Sequence, residues 1–162
     1  MATKRYKTSI DIDAGTLAKL GTLLNQQLAD AFDLFGQTKQ AHWNVKGMHF
    51  YQLHLLFDTL AEELEGHTDT IAERITTLGG VAKGTVRMAA AASRLPEMPL
   101  DLVDGKTTVK LLAERYAILA QSTRKAIDEA DKQGDVDTSD LFTSVSRDLD
   151  KALWFLEAHL QA

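Results

Sequence analysis

Five histidines and a run of carboxylates are the side chains of this 162-residue chain able to hold a metal, and there is no cysteine beside them. Without cysteine there is no disulfide framework, thiolate zinc finger, iron–sulfur cluster or thiol nucleophile. Any side-chain metal site must therefore be made from His, Asp and Glu. At about 100° per residue along a helix, His54, Asp58, Glu62, Glu65, Asp69 and Glu73 share a sector roughly 100° wide. Such a stripe is either a solvated acidic face or a metal-binding one. His42 bears on the choice, because it ends the apolar stripe of the preceding helix just before a tight connection, and so points into the interface between the two. Two histidines on paired helices, with Asp58 one turn beyond His54, are a candidate ligand set.

Distance divides the stripe. His54 and Asp69 are fifteen residues apart, which on one helix is roughly 22 Å, so they cannot share an ion within one chain. His42, His54 and Asp58 are one half-site, and Asp69 with Glu73, an i, i+4 pair, is the other. If two copies pack these helices antiparallel about a twofold axis, each half-site meets the other copy's complement, and two sites form at once. The resulting mixed N/O set suits iron or manganese and is less biased toward zinc than a set of histidines alone. The Glu-x-x-His signature of bundles that build a di-iron site inside one chain occurs nowhere in the sequence.

The elements that position these residues follow from periodicity. Both prolines lie between Leu95 and Pro99, leaving long stretches on either side open to helix. A first helix is expected from the N-cap Asp13 through Leu17, Leu20, Leu24, Leu28, Ala31 and Phe35 to His42. A second runs from Phe50 through Phe57 and Leu64 to Leu78, stopped by Gly79-Gly80. A third opens after Asp104-Gly105 and carries Val109, Leu112, Tyr116, Leu119 and Ile127, and a fourth opens near Thr138 and reaches Leu160. Short links pair the first helix with the second and the third with the fourth. The segment from Gly79 to Asp104 is long enough to run the length of the bundle, with an Ala-rich stretch, Thr85 to Arg94, able to form a short extra helix. The fold expected is all-α: a ferritin-like four-helix bundle with one long crossover between helices 2 and 3. Residues 1–10 are expected to be a short flexible N-terminal tail and 11–162 the bundle domain. The longest stretch without Asp, Glu, Lys or Arg, Gly47 to Phe57, is too short to span a bilayer, and the N-terminus has no apolar signal region. A cytoplasmic protein without a membrane partner is expected. Eighteen basic against 23 acidic residues give net −5, which argues against nucleic-acid binding by the body.

The segment TKQAHWNVKGMHFYQLHLLFDTLAEELEGHTDTIAERITTLGG, Thr38 to Gly80, resembles the signature region of the Dps family, small ferritin-like DNA-binding proteins from starved cells. RYAILAQSTRKAIDEA (Arg115 to Ala130) and SRDLDKALWFLEAHL (Ser146 to Leu160) resemble the family's later helices. The resemblance implies that His42, His54 and Asp58 bind iron from one subunit and that Asp69 and Glu73 complete a two-iron site from the twofold-related one. It implies that Trp43 intercepts oxidising equivalents and that Lys39 is a basic residue near the site. It also implies a homododecamer built from twofold dimers, oxidation of Fe(II) by hydrogen peroxide in preference to dioxygen, storage of Fe(III) mineral, and protection of DNA. Family members that bind DNA use a Lys-rich tail, and here Lys4, Arg5 and Lys7 are what the tail offers; a DNA-bound form would be nucleoid-associated. The alternative is a DNA-compacting nucleoid structural protein whose metal chemistry is secondary. The acidic residues Asp128, Glu129, Asp131, Asp135, Asp137 and Asp140 are either a solvated turn or, as the family implies, part of an iron-admitting pore. His49 and His67 are expected at the surface or in an interface, and Trp154 in the core or a subunit contact.

Overall fold

The computed structural model describes residues 5–161. They form α1 (Ala14–Asn44), α2 (Phe50–Thr77), α3 (Val86–Ala92), α4 (Gly105–Lys132) and α5 (Val136–Ala158). Helix starts are set by side chains that satisfy the first unpaired amides. Asp13 accepts from the N–H groups of Gly15 and Thr16, Thr85 from Met88, Asp104 from Thr107 and Asp135 from Thr138. Capping by Asp135 starts the last helix two residues ahead of Thr138, where it was expected. Two of the stops fall at left-handed glycines, Gly79 (φ 74°) after α2 and Gly134 (φ 77°) after α4.

The helix pairs α1–α2 and α4–α5 make the main packing surfaces, and contacts between α1 and α4 close the two hairpins into a bundle. Leu20, Leu24, Leu28 and Leu34 of α1 meet Phe57, Leu60, Leu64, Ile71 and Ile75 of α2, Leu112 and Tyr116 of α4 and Phe142 and Leu156 of α5 in one buried cluster. Each such apolar side chain contributes roughly 1.5–3 kcal/mol by leaving water, and this packing, more than propensity, holds the amphipathic helices. No helix among the described residues is long and apolar enough to cross a membrane.

The crossover is held by polar anchors, because apart from Ala89 the short α3 buries almost nothing. Asp30 of α1, 2% exposed, accepts from the Arg94 backbone N–H at 2.8 Å and from its Nε at 2.9 Å. Arg115 of α4 donates to Gln37 Oε1 (2.6 Å) and to the Glu97 carbonyl (2.8 Å), while Gln37 Nε2 reaches the Pro96 carbonyl at 3.0 Å. At the far end Lys46 N–H donates to the Val103 carbonyl, tying the crossover to the α1–α2 turn beside the candidate site.

Residues 5 and 6 of the N-terminal segment bond to the bundle. Arg5 donates to the Leu17 carbonyl (2.7 Å) and the Leu78 carbonyl (2.8 Å), and Tyr6 N–H donates to Gly79 O at 2.8 Å. The Arg5 guanidinium thus satisfies an end carbonyl of α2, where the helix dipole favours a cation. Lys4 lies outside the described residues.

Two outcomes are expected. A Gly79→Ala methyl would run into the Tyr6 carbonyl oxygen while forcing a left-handed φ on alanine. The variant should lose about 2 kcal/mol or more and exchange the Tyr6 amide faster, as urea denaturation and hydrogen exchange would read. The second outcome concerns Asp135, buried between Arg74 Nη2 (2.7 Å) and the Thr138 hydroxyl. Burial raises its pKa, but hydrogen bonds from Thr138 and Arg74 and the Arg74 charge outweigh it, so the carboxyl titrates below the ordinary range. A folded pKa below the unfolded value of about 3.9 means the stabilisation is full above about pH 5 and fades as pH falls through the folded pKa. Asp135→Asn should lower stability at pH 7 by about 2–3 kcal/mol and flatten the loss of stability between about pH 5 and 3.

Candidate metal centre

The last turn of α1 and the first two turns of α2 face each other across the short connection after Asn44. His42 lies at the end of the buried face of α1 and is 8% exposed, and His54 is partly buried on α2. Their rings stack with centroids 3.8 Å apart and planes 19° apart. The bonding is reciprocal: His42 Nδ1 is 2.8 Å from the His54 carbonyl, and His54 Nδ1 is 2.9 Å from the His42 carbonyl. A carbonyl oxygen only accepts, so each Nδ1 carries a proton, and the tautomer this selects has its lone pair on Nε2. Backbone carbonyls holding Nδ1–H are the usual support of a metal-binding Nε2. Phe50, with its centroid 5.2 Å from that of His54, packs against the second ring.

One turn beyond His54, Asp58 Oδ1 lies 3.7 Å from His42 Nδ1 and 2.6 Å from Lys39 Nζ. The hydrogen bond from the Lys39 ammonium, with the nearby charges, holds the Asp58 carboxyl below the usual carboxylate range despite an opposing desolvation effect. Thr38, beneath this turn, gives its proton to the Leu34 carbonyl and leaves Oγ1 to accept from the Tyr116 hydroxyl at 3.2 Å. Burial pushes that phenol far above its ordinary range, so this wall adds no charge. Trp43, next to His42, is 66% exposed, with the Lys39 ammonium 5.9 Å from its ring centroid.

The structure brings His42, His54 and Asp58 together and leaves Asp69 and Glu73 exposed further along α2. Among the described residues no three His, Asp or Glu side chains of one chain converge on a common ion position. The donor types present, two imidazoles and a carboxylate, fit a divalent cation in kind. Of the expected nucleic-acid residues, Arg5 is engaged with two carbonyls, Lys7 is exposed, and Lys4 is outside the described residues.

Several features go beyond the sequence reading. The resemblance places Lys39 only near the site, whereas it bonds Asp58 directly; its position three residues before His42, on the same helix face, was the available signal. The backbone lock between the histidines has no sequence signal, since carbonyls belong to every residue. His67 is turned toward α5, with a buried Nε2 that makes no hydrogen bond 3.4 Å from Asp148 Oδ2, and burial lowers its pKa. Asp135 leaves the acidic turn cluster for its pair with Arg74. Trp154, 61% exposed, is outside the core.

The model of the ferritin-like domain family matches residues 21–162. The chain is 45% identical over 158 residues, 98% of each chain, to the DNA protection during starvation protein of Agrobacterium fabrum (strain C58 / ATCC 33970). Among solved structures it superposes on DpsC from Streptomyces coelicolor with TM-score 0.94 at 32% identity, covering 98% of this chain and 93% of that one. It superposes on the Dps protein from Vibrio cholerae O1, described as a member of a broad superfamily of ferritin-like diiron-carboxylate proteins, with TM-score 0.90 at 30% identity, covering 99% and 98%. With the family model covering most of its length and relatives matching it end to end, this chain belongs to the Dps family of ferritin-like proteins.

Proposed function

We propose that the protein oxidises Fe(II) at sites shared between two subunits and stores the Fe(III) product as mineral inside a hollow homododecamer, thereby protecting DNA. The observation that carries this reading is the locked histidine pair. His42 and His54 spend their Nδ1–H groups on backbone carbonyls, which leaves Nε2 as the metal-binding nitrogen of each, with Asp58 one turn beyond His54, while Asp69 sits roughly 22 Å from His54 along the same helix and Glu73 a turn further. Antiparallel pairing of α2 about a twofold axis brings His42, His54 and Asp58 of one subunit to Asp69 and Glu73 of the partner subunit. Hydrogen peroxide is the preferred oxidant in this reading and dioxygen the slower one. Two ferrous ions give one electron each, the O–O bond of the peroxide breaks, and two protons complete two waters, so no hydroxyl radical leaves. Carboxylate oxygens favour the harder Fe(III). Trp43, exposed beside His42, is placed to give up an electron to oxidising equivalents that escape this stoichiometry.

Support for the DNA-protecting role comes from the relatives' name, DNA protection during starvation protein, and a cytoplasmic location goes with it. Binding of DNA through Lys4, Arg5 and Lys7 has weaker support, because Arg5 is committed to the Leu17 and Leu78 carbonyls. The DNA-compacting alternative depends on the same three residues.

His42→Ala and Asp69→Ala should each slow peroxide-driven Fe(II) oxidation by about 10- to 100-fold, in line with the losses that follow damage to metal centres. After subunit exchange, an equal mixture of the two variants should recover about a quarter of the wild-type sites, because half of random dimers carry one intact site of two. Recovery of nothing would contradict sharing between subunits. In gel shifts, Lys4→Gln with Lys7→Gln should reduce whatever DNA retention the wild type shows at low salt, and retention by both should fall steeply by about 150 mM salt.

A further inference from the structure

We propose that His67 of α2 and Asp148 of α5 form a second cation site, separate from the shared centre, that takes a divalent transition metal between the two hairpins. Among the described residues, His67 Nε2 is the one buried side-chain nitrogen or oxygen that makes no hydrogen bond. Leaving such an atom unpaired costs about 1–3 kcal/mol, and a water or an ion is the usual partner of an orphan of this kind. A carboxylate stands beside it without closing on it, with Asp148 Oδ2 3.4 Å away. A ring carrying its proton on Nε2 would draw this oxygen to about 2.7–2.9 Å. The observed separation is instead the edge of a metal coordination shell, because two ligand atoms each about 2.1 Å from a tetrahedral ion lie about 3.4 Å apart.

The surroundings suit a cation. The His67 side chain is 16% exposed and that of Asp148 47%, so the nitrogen is shielded while the oxygen opens a path from solvent. Glu63 lies one turn before His67 on the same face of α2, and its ion pair with Lys151 of α5 is long at 3.9 Å. The Lys151 ammonium is shared with the Phe155 ring, whose centroid is 5.6 Å away. Two carboxylates therefore outnumber one loosely held ammonium around the imidazole. A nitrogen and a carboxylate oxygen together favour Zn(II), Mn(II) or Fe(II) over Mg(II) and Ca(II), which prefer oxygen alone. With two side chains as ligands, water fills the remaining positions, which makes the site exchangeable rather than closed. His67 is thirteen residues beyond His54, roughly 20 Å along α2 and about 160° round the axis from Asp69, so it belongs to neither half of the shared centre.

Zn(II) is the probe, on the assembled full-length chain. In crystals soaked with Zn(II), an anomalous peak at the zinc edge is expected about 2.1 Å from His67 Nε2 and within bonding distance of Asp148 Oδ2. Calorimetric titration should count one ion per chain fewer in His67→Gln, and Asp148→Asn should weaken that ion by at least about tenfold. Asp148 is about half exposed, so its Asn variant keeps the test open should His67→Gln fail to fold. Excess Mg(II) should leave the ion in place. Density at His67 without anomalous signal, the mark of a water, would overturn the proposal, as would loss of the ion to Mg(II) or equal Zn(II) counts and affinities in the three chains. Zinc at His42 and His54 with none at His67 sinks this inference alone, whereas zinc at His67 with none at His42 and His54 supports it and counts against the shared centre.

Discussion

The reciprocal hydrogen bonds between His42 and His54 are the constraint on which the site depends. Each imidazole spends its Nδ1–H on the carbonyl of the other residue, which ties the end of α1 to the start of α2 and fixes both tautomers together. Imidazoles that hung free would sample two tautomers and several rotamers, and would have to be ordered by the ion itself. Here the ordering is done by folding, and the cost is spread over the whole α1–α2 interface. The short connection, the stacked rings at 3.8 Å and the packing of Phe50 on His54 all serve that one geometry. The candidate half-site is thus part of the helix packing.

Charge is used in the same manner away from the site. Arg5, Arg74, Arg94 and Arg115 bond to backbone carbonyls, buried carboxylates or a buried amide in this chain. Asp30 and Asp135, among the most deeply buried of the carboxylates, are the partners of two of them. These pairs hold the long crossover and the α4–α5 turn, where little apolar surface is available. Asp69 and Glu73 are left at the surface, on a helix otherwise well packed.

Much of this was legible in the sequence because it is local. The three- and four-residue spacing of Leu17, Leu20, Leu24 and Leu28, the cap Asp13 and the stop at Gly79 depend on neighbours in the chain, and the helices fall within a few residues of where these signals place them. The facing of His42 and His54 was also legible, since a helical stripe and a tight turn determine it. The features that sequence did not reveal are those made by chain segments far apart. Arg5 finds the Leu78 carbonyl 73 residues away, Arg74 takes Asp135 out of an acidic run, and His67 turns toward Asp148. In each case the sequence shows a charged or polar residue of the right type, and tertiary packing chooses its partner.

The central claim is that one ion position is completed by two chains. Anomalous diffraction at the iron edge, from crystals of the assembled protein soaked anaerobically with Fe(II), tests it most directly. The account predicts iron at roughly 2.1 Å from the Nε2 atoms of His42 and His54 of one subunit, the spacing of a direct metal–imidazole bond, with Asp69 and Glu73 of the partner subunit closing the other side. Iron bound through Nδ1, or held by residues of a single chain, would contradict it.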